Sequence, residues 1–560
     1  MEQWRLFLAI ILSIFIFFLW EVFFVKPPEQ PLKKTDQAEQ TARQDQDTGR
    51  QPQTREEKAA KPLDPAAKES SIPEQSFESV TVETSFYTAR ISQRGAALTS
   101  FILHKYREDV DKNAAQKQLI PEANKLGTAL VHLAGAPSDQ WFNARYTTDF
   151  EKDVFSVGRE EKRLSFFWES PTGTVIEKRY TFVPDSYQIL LDVIIKNPTN
   201  QTLSSDMILT LQNPLPKDSS RFAFEGPFSY LNNELEEIDV DDIGEKSEYS
   251  GGVEWAGLCS RYFMSVIVPK SGSSSRFTLA RKPDKTRDTE MVAVNFIQPL
   301  RSIEPNMQDG YHYSLYMGPK RLSELRQYGD NLEKAVNFGW FDIIAKPCLW
   351  LMNAIYNNFV PNYGVAIILL TIGFKILFWP LGSKSYKSMA EMKKLQPLMA
   401  EIRKKYKDDK KKMNEEVMRL YRTYKVNPMS GCLPMVVQIP VFIAFYRMLY
   451  EAIELRHAPF LLWINDLSAP DRLFHFDISI PLMIPPYGIP VLTIIMGATM
   501  FLQQKLSPPP GDPSQAKFMM MMPLIFTVIF INFPSGLVLY WLVNNVISIG
   551  QQYYITRKTV

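Results

Sequence analysis

Lys375 interrupts an otherwise apolar run, YGVAIILLTIGFKILFWPL at 363–381, that is long enough to cross a bilayer. A cation near mid-membrane costs ~2.5–3.5 kcal/mol on insertion scales, so such a group normally faces a partner or water. Other polar side chains sit at comparable depth: Thr371 one turn earlier, Gln438 in the next apolar segment, and Asn544 and Asn545 in the last. Together they could line a wet cavity open to the cytoplasm. A plainer reading stands beside it: Lys375 lies about 9 Å from the cytoplasmic end at 1.5 Å per residue, and a lysine stem can snorkel much of that distance. Arg447 and Glu451, spaced i, i+4, suit an intrahelical ion pair with no further role. The run Met519-Met520-Met521-Met522-Pro523 suits apolar packing, or a thioether surface tolerant of many hydrophobic sequences.

Composition removes several classes of chemistry. The net charge over 560 residues is only +2, which argues against general nucleic-acid binding. Cys259, Cys348 and Cys432 lie far apart, and the five histidines show no ligand spacing, so neither a disulfide framework nor a metal site is expected. No phosphate-binding glycine loop and no nucleophile–base pair stands out. No cofactor and no enzymatic activity are expected.

The elements that must position these residues follow from patterning. Residues 6–25 form an apolar stretch whose only charge is Glu21, read as an uncleaved anchor within 1–26. Residues 27–77 are rich in Gln, Lys, Glu and Pro and are expected to form a disordered tether. Short alternating runs fill 78–335. The clearest puts Tyr187, Ile189, Leu191, Val193 and Ile195 on one side and Gln188, Asp192 and Lys196 on the other, the period of a half-buried antiparallel strand. That pattern predicts a large β-sandwich. Residues 336–355 read as an amphipathic interfacial helix. A helical core, 356–560, follows, with spans at about 361–381, 432–455, 487–506, 517–533 and 535–555, the last two joined only by Pro534-Ser535-Gly536. With the anchor, the fold class is a six-span polytopic α-helical membrane protein with a five-helix core and a large β-domain outside.

Charge orients it. Segment 382–430 holds fourteen Lys or Arg against six Asp or Glu, whereas 456–477 holds two against three. The basic segment is therefore cytoplasmic, both termini are cytoplasmic and the β-domain is periplasmic. Apolar spacing within 382–430 predicts two antiparallel helices turning at Asp408-Asp409. This basic hairpin, with Lys404 and Lys405 beside the turn, reads either as a solvated cap or as a docking arm. A lone intramembrane cation above such a hairpin points to a protein that handles other polypeptides.

At the strings KVNPMSGCLPMVVQIPVFIAFYRML (425–449), LRHAPFLLWINDLSAPD (455–471), FPSGLVLYWLVNN (533–545), GGVEWAGLCSRYF (251–263) and YMGPK (316–320), the chain resembles the YidC/Oxa/Alb family of membrane insertases in its Gram-negative form. The resemblance covers nearly the whole length. It implies a periplasmic β-supersandwich and a groove open to the cytoplasm and inner leaflet, with one basic residue at the position of Lys375. It also implies that Thr371, Tyr540 and Trp541 serve groove stability or client contact. The implied clients are newly made inner-membrane proteins, entering alone or with the Sec translocon. Ribosomes and targeting factors would meet the cytoplasmic loops, and lipids would surround the core. Three features depart from the family pattern: lysine replaces the usual groove arginine, Trp541 replaces a usual tyrosine, and the sequence stops at Arg557-Lys558-Thr559-Val560 without a long basic tail. Lysine keeps the charge but loses the planar fork. The rival readings are a secondary transporter, for which neither internal repeats nor mid-membrane acidic groups are visible, an envelope assembly factor, and a periplasmic glycan enzyme, which would draw only on the sandwich shape.

Overall fold

The computed structural model describes residues 77–559 apart from 217–222, 271–274, 285–288, 300, 301, 425 and 427–432, and 508–512. The expected anchor and all but the end of the tether lie outside the described residues.

The β-domain is built on the strand that the alternation marks. In Gln188–Asn197 every second residue is buried, and Ile189, Leu191, Val193 and Ile195 have no exposed surface. This strand lies inside a nine-stranded sheet, antiparallel to Met307–Pro319 on one side and Val175–Phe182 on the other. Leu191 thereby faces Tyr313 and Tyr180 in register. Two five-stranded sheets join it. One contains Met207–Pro216 and Thr289–Gln298, and reaches the large sheet where Phe296 meets Tyr313 edge-on at 6.2 Å between ring centres. The other contains Tyr87–Ser92 and Ala97–Arg107.

Lys178 bridges this second small sheet to the large one from a site with no exposed surface. Its ammonium donates to the carbonyls of Gly95, Ala96 and Ala129 at 3.0, 2.7 and 2.7 Å. Burial drives its pKa well below the ordinary lysine value. The three carbonyls satisfy its donors, so it acts as a cross-sheet strut.

The helical part begins with α1, Asp342–Asn358, which carries Pro347 within it and exposes Ile343 and Trp350, with Trp340 98% exposed just before it. The helices α2 (Tyr363–Leu377) and α3 (Trp379–Lys394) follow, with Pro380 in the first turn of α3. Then come α4 (Gln396–Lys405) and α5 (Lys410–Thr423), packed on one another. Tyr406 lies between the ammonium groups of Lys405 and Lys412, each 5.6 Å from its ring centre, and the Asp409 carboxylate accepts from the Lys412 backbone N–H to start α5. The bundle is completed by α6 (Leu433–Glu451), α7 (Val491–Leu506), α8 (Pro513–Phe530) and α9 (Ser535–Thr559).

The expected six-span count is not established. Among the described residues no single helix is long and apolar enough to cross a membrane, and only α2 and α3 together pass, bent by 65°. The reason is local: fifteen residues of α2 give about 22 Å, short of a ~30 Å hydrocarbon core. The segment expected as one span, 361–381, breaks at Phe378 because Pro380 starts a new helix there. The span expected from 487 begins at Val491, since the residues before it form a hairpin loop.

Candidate functional site

Lys375 is 8% exposed, one turn beyond the fully packed Thr371, whose hydroxyl donates to the Ile367 carbonyl at 2.7 Å. The Lys375 ammonium donates to Ser548 Oγ of α9 at 2.7 Å, and Ser548 in turn donates to the Asn544 carbonyl at 2.7 Å. Tyr386 of α3 hydrogen-bonds with Ser548 and Gln503, which draws α3 and α7 to the same point. Among the described residues no carboxylate pairs with Lys375. A buried cation held by a neutral hydroxyl keeps its charge uncompensated, so an incoming carboxylate would gain from meeting it.

A polar seam runs from this point along α9. Asn545, 4% exposed, donates to Thr499 Oγ1 at 3.4 Å. Farther along, Gln551 donates to the Trp379 carbonyl at 3.1 Å and Ser383 Oγ at 3.3 Å, and Gln552 to Ser507 Oγ at 3.5 Å. Thus Lys375, Thr371, Asn544 and Asn545 share one region. Ser548, Tyr386, Gln551 and Gln552 belong with them but escaped sequence reasoning. A signal was available: 544, 545, 548, 551 and 552 recur at helical spacing and form one polar stripe.

The remaining expected residues lie elsewhere in the bundle. Tyr540 stacks on Phe445 at 4.9 Å, and Trp541 meets Phe442 edge-on at 4.7 Å and Phe530 at 5.1 Å. Gln438 is half-buried on α6, one turn before Phe442. Tyr540 and Trp541 belong to an aromatic cluster that joins α6, α8 and α9. Lys404, Lys405, Asp408 and Asp409 are exposed at the α4–α5 turn.

Around the seam the helices present apolar side chains outward, among them Ile376, Ile494, Phe501, Leu524 and Val546. Arg447 and Glu451 form the expected i, i+4 pair at 3.2 Å. No cluster of His, Cys, Asp and Glu able to hold a metal occurs among the described residues. An apolar-surfaced helical bundle with a buried cation and a polar seam, attached to a β-rich domain, is the class of an integral membrane protein with an extramembrane domain.

Sequence comparison makes the class specific. Residues 79–351 match the YidC periplasmic domain, and 355–560 match the 60Kd inner membrane protein family. A protein named membrane protein insertase YidC from Syntrophus aciditrophicus is 40% identical over 98% of this chain and 99% of its own length. One of the same name from Pelobacter propionicus is 39% identical over 99% of both. A solved structure described as an active YidC insertase with its first transmembrane domain resolved covers 86% of this chain and 93% of its own, at 20% identity and a TM-score of 0.37. The chain belongs to the YidC family, whose members are named as insertases and not as enzymes.

Proposed function

We propose that this protein inserts newly made inner-membrane proteins into the bilayer through a cytoplasm-open groove centred on Lys375. The observation that carries the reading is a buried ammonium whose partner among the described residues is a hydroxyl, set at the head of a polar seam. In this mechanism an acidic residue in the client's extracellular tail meets Lys375 transiently. Asn544 and Asn545 line the groove beside Lys375 and Thr371 packs behind it, while Gln438, Tyr540 and Trp541 shape the wall along which the client's apolar helix leaves for lipid. Transfer of about twenty apolar residues drives the reaction, helped by ~2.3 kcal/mol per charge per 100 mV of membrane potential. The exposed turn with Lys404, Lys405, Asp408 and Asp409 serves as the cytoplasmic contact for ribosomes and targeting factors. The six-span arrangement, both termini cytoplasmic and cooperation with the Sec translocon belong to the same proposal.

The test is reconstitution into liposomes with a single-span client bearing an acidic tail. Wild type and Lys375→Arg should give protease-protected insertion, and Lys375→Ala should not. Equal insertion by all three would remove Lys375 from the mechanism. Insertion no better than empty liposomes would overturn autonomous activity.

A further inference from the structure

We propose that the loop 473–489, between α6 and α7, is a preformed apolar hairpin that seats among lipids of the leaflet on the β-domain side. The proposal rests on the reading of α2 and α6–α9 as a bilayer-embedded bundle. The hairpin is closed by reciprocal backbone hydrogen bonds between Leu473 and Ile489, at 2.8 and 2.7 Å. Two side chains then draw its backbone inward. Arg472, 7% exposed, donates to the carbonyls of Pro486, Ile484 and Ile531 at 2.9, 3.4 and 2.8 Å. Asn532 accepts from the Ile484 N–H at 2.9 Å and donates to the Leu482 carbonyl at 2.7 Å. Toward its tip the outward surface is apolar, with Ile478, Leu482 and Ile484 each at least 60% exposed, while Phe474 stands exposed beside the polar His475, Asp477 and Ser479 of the first arm. Phe474 and Leu482 hold φ values of 53° and 67°, a region that large side chains rarely adopt.

Three observations select lipid as the occupant. Residues 478–489 carry no charge, a run too short to span but suited to an interfacial or re-entrant seat. Non-helical backbone is tolerated at membrane depth where the protein satisfies it; here Arg472 and Asn532 supply partners for backbone groups of Leu482, Ile484 and Pro486, and the N–H groups of Phe476 and Met483 bond within the loop. The apolar surface continues onto the first turn of α7, where Ile494 and Ile495 are exposed. Its side is fixed by Arg456, at the start of the same connection, which donates to the Arg107 and Glu108 carbonyls of the β-domain at 2.5 and 3.3 Å.

The experiment uses the full chain with Cys259, Cys348 and Cys432 replaced by Ala, in phosphatidylethanolamine–phosphatidylglycerol vesicles. Ile478→Cys, Leu482→Cys, Ile494→Cys and the β-domain control Glu161→Cys are each labelled with an environment-sensitive fluorophore. Positions 478 and 482 should show blue-shifted emission, quenched by lipids carrying a shallow nitroxide and not by iodide, whereas position 161 should respond to iodide. Iodide quenching at 478 and 482 with lipid quenching at 494 would overturn the loop's seat and leave the bundle reading intact. Protection of 478 and 482 from both quenchers would mean a protein cover and would equally overturn it. Failure of lipid quenching at 494 would reject the embedded bundle, and the proposal with it.

Discussion

At the scale of single residues, stability and function make opposed demands on Lys375. A buried ammonium with one hydroxyl partner is a cost to the folded state, and replacing such a charge by an apolar group of similar shape is often stabilising by roughly 1–4 kcal/mol. Lys375→Met should therefore raise the thermal midpoint in detergent while lowering insertion of an acidic-tailed client. A lower midpoint would show that Lys375 is a structural strut. His132 makes a separate demand. Among the described residues neither of its buried ring nitrogens has a hydrogen-bond partner, the ring packs edge-on to Phe142 at 5.2 Å, and burial pushes its pKa down to about 4. The unfolded chain takes up a proton near pH 6.5 and the folded one does not until about pH 4. The contribution is thus fully present above pH 6.5 and is lost progressively as pH falls toward 4, amounting to about 3 kcal/mol. His132→Leu should flatten that part of the stability–pH profile, measured by near-ultraviolet circular dichroism of the full chain. An unchanged slope would place the titration elsewhere.

At the scale of elements, the β-domain was legible because its strands alternate. Ile189, Leu191, Val193 and Ile195 could be assigned to the core from period two alone. In the basic segment only the turn at Asp408-Asp409 was legible, since Asp409 caps the following helix; instead of two helices its described residues hold three, because the first arm breaks at Leu395, where Pro397 starts a new helix. The bend at Phe378 was harder, because hydropathy averages over the chemistry of Pro380 that starts a new helix. The seam on α9 was only half seen: Asn544 and Asn545 stood out singly, whereas Ser548, Gln551 and Gln552 gain meaning only as a stripe facing other helices. Close helix contact was hidden as well. A Cβ on Gly497 of α7 would lie 2.1 Å from Thr527 Oγ1 of α8, so only glycine permits this approach. Gly497→Ala should cost about 1–3 kcal/mol through overpacking, and Thr527→Ala, by removing the hydroxyl and methyl, should restore part of it. Additive losses in thermal unfolding of the double variant would show that these positions do not meet.

At the scale of the whole molecule, the question is whether the β-domain is a passenger or a brace for the bundle. The carbonyl of Tyr450 lies in the last turn of α6, where helix carbonyls lack intrahelical partners. Arg261 of the β-domain fills that need. Its guanidinium donates to the Tyr450 carbonyl through Nε at 2.9 Å and again through Nη2, and stacks 3.8 Å from the Tyr450 ring centre. Arg456 answers from the other side, donating to β-domain carbonyls and lying 5.5 Å from the Phe263 ring centre. The domain thus caps the helix that carries Gln438 and Phe442. Arg261→Ala should destabilise the chain by about 1–3 kcal/mol and speed amide exchange selectively over residues 448–456. Arg261→Lys should fail to restore protection, because an ammonium reproduces neither the planar fork nor the stacking. Exchange in that segment indistinguishable from wild type would leave the two parts mechanically independent. In that case a chain lacking 79–318 should insert clients as well as the intact protein; if the brace matters, it should insert them more slowly.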